Sequence, residues 1–178
     1  MLTFLKAAFG NLKQTGSVME SSPQLSRRMT RIINFKKPVH IVELGAGTGS
    51  ITKHILAQMG YGSSLMSFEI NESLFERLQQ VQDKRFTGVN DNVLQLQDYA
   101  AEQSADYIIS GLPLANICAE QKMKILNACK KVLKPGGYYI QFQYSLNDIK
   151  LLKQKFLSVS CGFALLNFPP AFVYYAKK

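Results

Sequence analysis

The segment Glu43-Leu44-Gly45-Ala46-Gly47-Thr48-Gly49 places three glycines at alternate positions, directly after a short apolar run from Val39 to Leu44. Glycine lets a main chain approach a ligand where a side chain would collide. A helix beginning just beyond such a turn offers unpaired N–H groups and the positive end of its dipole to a carboxylate or phosphate. Glu69 closes a second apolar run about 20 residues further on, where an acid can accept hydrogen bonds from ribose hydroxyls. Asp91, in Val89-Asn90-Asp91-Asn92, follows a third run and could receive the exocyclic amine of an adenine. Together these groups describe a site for a nucleoside-bearing ligand. Each also has a plainer reading: a tight turn, a solvated strand-end acid, and an Asx turn with Asp98 as a competing acid.

The elements that must position these residues alternate. A helix over Leu2 to Gln14 carries Leu2, Leu5, Phe9 and Leu12 at helical spacing. Ser21-Ser22-Pro23 caps a second helix running to about Phe35. Strands are expected over Val39–Leu44, Leu65–Ile70, Phe86–Val89, Asp106–Ser110 and Tyr138–Tyr144. Helices are expected over Ser50–Met59, Glu72–Gln82, Glu120–Leu133 and Leu146–Leu157, the third stopped by Pro135-Gly136-Gly137. Two late runs, Gly162–Phe168 and Phe172–Ala176, are joined through Pro169-Pro170, too short a connection for anything but an antiparallel pair. Strand–helix alternation implies an α/β fold with a doubly wound, mostly parallel, seven-stranded Rossmann-like sheet, ending in an antiparallel hairpin and preceded by amphipathic helices.

The 178 residues are 47% hydrophobic and 19% charged, a globular composition. No apolar run reaches the roughly 20 residues of a spanning helix. Cys118, Cys129 and Cys161 are widely spaced and are read as reduced, with no metal site expected. The net charge is +9. Residues 1–37 hold Lys6, Lys13, Arg27, Arg28, Arg31, Lys36 and Lys37 against Glu20 alone, so the chain divides into a basic helical arm, 1–37, and a ligand-binding domain, 38–178. A basic arm suggests an anionic partner, lipid headgroups or nucleic acid.

The pattern Glu-x-Gly-x-Gly-x-Gly resembles the S-adenosylmethionine (SAM) motif of class I methyltransferases, with NAD binding the competitor on fold grounds. The resemblance assigns Glu43, Gly45, Ala46, Gly47, Gly49, Glu69, Ile70, Asp91, Asn92 and Ser110 to the donor. Beyond the fourth strand, Ser110-Gly111-Leu112-Pro113-Leu114 is similar to the Asn/Asp-Pro-Pro-aromatic segment of adenine N6-methyltransferases, with Ser110 and Leu114 replacing its polar and aromatic ends. The chain as a whole resembles bacterial phospholipid N-methyltransferases, near the rRNA adenine dimethylases. That likeness rests on the basic N-terminal helix leading into Ser17-Val18 and Ser21-Ser22-Pro23, on Glu43–Gly49, on Ser110–Pro113 and on Asn167-Phe168-Pro169-Pro170-Ala171-Phe172-Val173-Tyr174. It implies methyl transfer from SAM to the amine of phosphatidylethanolamine or a related amino lipid, leaving S-adenosylhomocysteine. Departures are Leu114, where the family commonly has an aromatic, and Asn90, where a glycine usually precedes the acid.

On this reading Ser110 and Tyr174 are the catalytic candidates, and Leu112, Pro113 and Tyr144 line the substrate pocket. No strong general base is visible, since His40 and His54 fall away from the strand ends that build the site. Transfer would rest on in-line alignment of donor and acceptor. The N-terminal helix would lie on the anionic inner face of the cell membrane, the protein being a cytoplasmic, peripheral monomer. Two other readings stay open: an RNA adenine N6-methyltransferase with its basic arm on phosphates, and a SAM- or lipid-binding module without turnover.

Overall fold

The computed structural model describes residues 22–165, 167 and 169–178. The amphipathic helix expected over Leu2–Gln14 lies outside them. Helix α1 (Pro23–Thr30) starts where proline at the first position and a Ser22 cap direct it, the Leu25 N–H donating to Ser22 Oγ at 3.1 Å. It ends five residues short of the expected Phe35, because Thr30, Ile32 and Ile33 are β-branched and lose rotamer freedom in a helix.

From there the chain alternates through β1 (His40–Leu44), α2 (Ser50–Leu56), β2 (Ser64–Phe68), α3 (Glu72–Leu78), β3 (Phe86–Val89), α4 (Leu96–Tyr99), β4 (Ala105–Ser110), α5 (Ala119–Val132), β5 (Leu133–Gln143), α6 (Ile149–Lys155), β6 (Ser158–Ala164) and β7 (Ala171–Lys177). The strands form a seven-stranded sheet in the order β3-β2-β1-β4-β5-β7-β6. The first five are parallel, while β7 runs antiparallel between β5 and β6. This is the α/β sheet with a closing hairpin that the alternation of elements implied.

Further details differ from expectation, among them β6, which lies at Ser158–Ala164 and so begins four residues ahead of the expected Gly162–Phe168 run. Pro135-Gly136-Gly137 is not a loop before β5 but part of it. Leu133 pairs with Ala105, the register then shifts, and Gly136 takes a left-handed φ of 78°. A short helical passage, Val93–Gln95 running into α4, was not anticipated; it begins on the Asn92 side chain, which accepts from the Leu94 N–H.

Adjacent residues on the central strands point into opposite layers. Ile108, Tyr139 and Tyr174 enter a core with α4, α5 and α6, whereas Ile109, Ile140 and Tyr175 enter one with α1 and α2. The sheet is thus covered on both faces, which is why its strands read as continuous apolar runs. Helix α1, although part of the basic arm, belongs to this packing. Leu25 and Met29 are buried, the Tyr175 hydroxyl donates to the Arg28 carbonyl at 2.5 Å, and Arg31 lies over the Tyr175 ring.

Candidate active site

A cleft of about 420 Å³ opens at the carboxyl ends of β1 to β5, where strand order reverses between β1 and β4. One wall is the glycine turn. Gly45, Gly47 and Gly49 all have positive φ. Gly45 has a second constraint: a Cβ there would sit 3.1 Å from a Leu112 methyl across the cleft. The turn is held by its own N–H groups. Those of Gly45 and Ala46 donate to the Phe68 carbonyl, that of Gly47 to Glu69 Oε2 at 2.8 Å, and that of Gly49 to the Ala46 carbonyl. The N–H groups of the turn itself are therefore largely committed within the fold, and the first turn of α2, which has no side-chain cap, is where main-chain donors remain for a ligand.

The other donor-side residues line the same cleft. Glu69 is buried, and its second oxygen accepts from the Asn71 N–H at 2.9 Å, so the carboxylate ties the β1 turn to the start of α3. Ile70, 65% exposed, presents a bare apolar face at the rim. Asp91 is held by the Asn92 N–H and by the Tyr99 hydroxyl at 2.8 Å. That hydrogen bond raises the Tyr99 phenol above its ordinary range. Tyr99 packs edge-on to Phe68 and was not singled out from sequence. Removing its hydroxyl in Tyr99→Phe takes one charge-assisted hydrogen bond from Asp91, so calorimetric affinity for S-adenosylhomocysteine should fall about fivefold with little change in melting temperature.

Glu43 lies beneath the turn rather than in the cleft wall. Its Oε2 accepts from Thr52 Oγ1 and Ser67 Oγ, both at 2.6 Å, while Oε1 is buried without a partner. Burial pushes its carboxyl pKa up, against the pull of those two hydroxyls. For an acid raised on folding, stability declines as pH climbs from the unfolded value through the folded one. Glu43→Gln keeps an acceptor for Ser67 and Thr52 and removes the desolvated charge. Its melting temperature relative to the parent should therefore improve between pH 4 and pH 8, as thermal scans across that range would read.

The acceptor side departs more from expectation. Leu112 and Pro113 line the cleft with Gly111, Ile117, Ile125 and Phe142. Ser110 does not: it is fully buried, its Oγ accepts from the Leu112 N–H at 3.4 Å, and it meets the Tyr139 hydroxyl. Tyr139 in turn donates to Gln141 Oε1 at 2.6 Å, and Gln141 Nε2 donates to the Leu112 carbonyl at 2.9 Å. Ser110 thus supports the loop from below instead of contacting a ligand. Gln141 does the same and was missed, though a glutamine in a strand otherwise read as buried was a visible signal.

Tyr174 is also corrected. It is fully buried and donates to the Ser145 carbonyl at 2.7 Å, a packing role outside the cleft. Tyr144 is half-buried against the Phe142 ring, two residues further on and past the end of β5, and does not line the cleft. Both rings lie on the side of the sheet that packs on α1 and α2, and Phe142 is the one that reaches the cleft.

A sheet of this order, a glycine turn and strand-end acids at β2 and β3 define a class I SAM-dependent methyltransferase. The chain belongs to the methyltransferase-domain family, whose model matches residues 42–139. It is 30% identical to the ornithine lipid N-methyltransferase of Singulisphaera acidiphila, in an alignment covering 98% of this chain and 94% of that one. It is 29% identical to a stretch of a polyketide synthase–nonribosomal peptide synthetase of Aspergillus clavatus, which spans 82% of this chain but 4% of that protein.

Among solved structures, the precorrin-6y C5,15-methyltransferase of Geobacter metallireducens superposes with a TM-score of 0.74 at 14% identity, covering 91% of this chain and 93% of that one. The 1,6-didemethyltoxoflavin-N1-methyltransferase of Burkholderia thailandensis, solved with S-adenosylhomocysteine, gives 0.72 at 17% identity over 99% and 88%. At such identities the likeness is one of fold. The residues present fit SAM: a close-approach turn and two strand-end acids line one cleft.

Proposed function

We propose that this methyltransferase acts on the amine of a membrane amino lipid, such as phosphatidylethanolamine or an ornithine lipid. The observation that carries the proposal is the likeness to the ornithine lipid N-methyltransferase, which runs through nearly all of both chains. SAM supplies an electrophilic methyl on a sulfonium, which an amine lone pair can take as the sulfur–carbon bond breaks. The chain's own contribution is to present that amine in its neutral form and in line.

The acceptor half of the cleft suits this task. Leu112, Pro113, Ile117, Ile125 and Phe142 are apolar, Gln121 adds one uncharged amide among them, and Glu69 and Asp91 belong to the donor half. Apolar surroundings disfavour an ammonium and so favour the free amine. Alignment can then lower the barrier by about 7–11 kcal/mol. Attachment would be peripheral, since among the described residues no helix is long and apolar enough to cross a membrane. The RNA reading loses support at Leu114, which is fully buried, so the position that would stack a base is turned inward.

Radiolabelled SAM offered separately to phosphatidylethanolamine vesicles, ornithine lipid vesicles and unmodified rRNA tests the proposal. Label is expected in a lipid extract. Label in RNA, or in neither lipid, would overturn it.

A further inference from the structure

Charge is segregated along the sheet. Ten of the twelve acids fall between Glu43 and Glu120, the segment from β1 into α5. Residues 22–37 have no acid against Arg27, Arg28, Arg31, Lys36 and Lys37, and residues 144–178 have only Asp148 against five lysines. Asp148 is buried and paired with Lys122 at 2.7 Å. The edge made by β6, α1 and α6 therefore presents cations. Helix α1 is joined to β6 directly, with Arg28 Nε donating to the Phe163 carbonyl at 3.1 Å.

The cleft end of that edge is also apolar. Ser110 pairs with Gln141, Gln143 with Phe172, and Phe163 with Phe172, so the β6–β7 tip and the loop after β5 lie at the same end as the cleft. There Leu165 is 64% exposed, Leu146 46% and Phe163 40%. The Phe163 ring sits 5.1 Å from that of Phe172, which packs against the core and braces it.

We propose that this corner, Phe163, Leu165 and Leu146 flanked by Arg28 and Lys150, is the surface on which the folded domain docks to an anionic bilayer. The proposal deepens the amino-lipid reading and rests on it. Three apolar side chains set among cations, with no compensating acid, match the boundary between headgroups and acyl chains. Docking there sets the apolar acceptor half of the cleft toward the headgroup layer, while the acidic donor half stays toward water. Phosphates of the bilayer are attracted by the cations of the corner and repelled by the acids of the donor half.

The test is cosedimentation of the full chain, without SAM, with phosphatidylglycerol–phosphatidylcholine vesicles, neither lipid being a methyl acceptor. Phe163→Glu with Leu165→Glu should weaken vesicle partition about tenfold or more, with circular dichroism unchanged. Should that variant misfold, Lys150→Glu with Lys153→Glu, both at exposed positions on α6, decides instead. It should lose binding to anionic vesicles at low salt and differ little from the parent on pure phosphatidylcholine.

Partition unchanged in these variants would overturn the proposal. So would a loss confined to the charge variant and matched by lost binding to an rRNA fragment, which would assign the face to nucleic acid. Methylation of a short-chain amino lipid below its micellar concentration, measured in parallel, separates the two ideas. Retained there but lost on vesicles, it supports docking. Absent there while vesicle binding follows the variants, it removes the amino-lipid reading and leaves the docking face standing.

Discussion

Gly111→Ala should weaken S-adenosylhomocysteine binding by roughly ten- to a hundredfold and reduce methyl transfer at least as much, while the protein still folds. A Cβ at position 111 would lie 2.8 Å from the Gly45 carbonyl oxygen, a main-chain atom with no rotamer to escape into. Neither partner can step back freely. The Gly111 N–H donates to the Leu44 carbonyl at 2.8 Å, and the Gly45 N–H donates to the Phe68 carbonyl at 2.9 Å. Relief requires the tips of β1 and β4 to part, at an overpacking cost of about 1–3 kcal/mol, and those tips are the floor of the cleft. Gly136→Ala is the control. Its φ of 78° is strained for alanine, but nothing lies within 4 Å and it is far from the cleft. It should lower stability by about 1 kcal/mol and leave binding alone. Isothermal titration of both variants checks the contrast, and Gly111→Ala binding within twofold of the parent would refute it.

Glu69→Ala should cost about a hundredfold in the same affinity. Its two oxygens take the Gly47 and Asn71 N–H groups, so truncation leaves two main-chain donors without acceptors and frees the turn from the start of α3. Hydrogen bonds to a charged group contribute about 1.5–3 kcal/mol each, and water can replace only part of that at a buried position. Any ribose contact is lost in addition. Glu69→Gln should fall between, because an amide offers one oxygen and turns its NH₂ toward the other N–H. Glu72→Gln, a neighbouring acid that heads α3 without touching the turn, should bind as the parent does. Equal losses in all three variants would point to general electrostatics instead of this clamp.

The glycine turn and both strand-end acids were legible in the chain because their roles are local. A strand must end and a helix must begin, and close approach demands glycine wherever the turn finally sits. Strand direction was legible for a similar reason: parallel strands need crossovers, and the Pro169-Pro170 connection is too short to make one; the insertion of β7 between β5 and β6 was not. What sequence could not reveal was which side of a strand faces the cleft. Ser110 ends β4 but turns into the packing beneath the Leu112 loop, Tyr174 lies mid-way along β7 in the core with α4 to α6, and Tyr144 falls beyond β5; none of the three reaches the cleft. Gln141 was overlooked for the converse reason. Its function is to hold the Leu112 carbonyl from a neighbouring strand, a partnership set by register. The strand character of Pro135–Gly137 likewise depends on a neighbour, here the ladder to β4.

The position of β7 bears on how the protein is made. It is the last of the seven strands to be synthesised, yet it lies inside the sheet, with β5 on one side and β6 on the other. Until it arrives, β5 presents an open edge and β6 has no partner, and unpaired edges invite association between nascent chains. The strand that closes that gap also backs Gln141 and Phe142, which pair with Tyr174 and Val173. Completion of the acceptor wall therefore waits on the last strand to be made, whereas every residue of the donor turn is already in place in the chain by then.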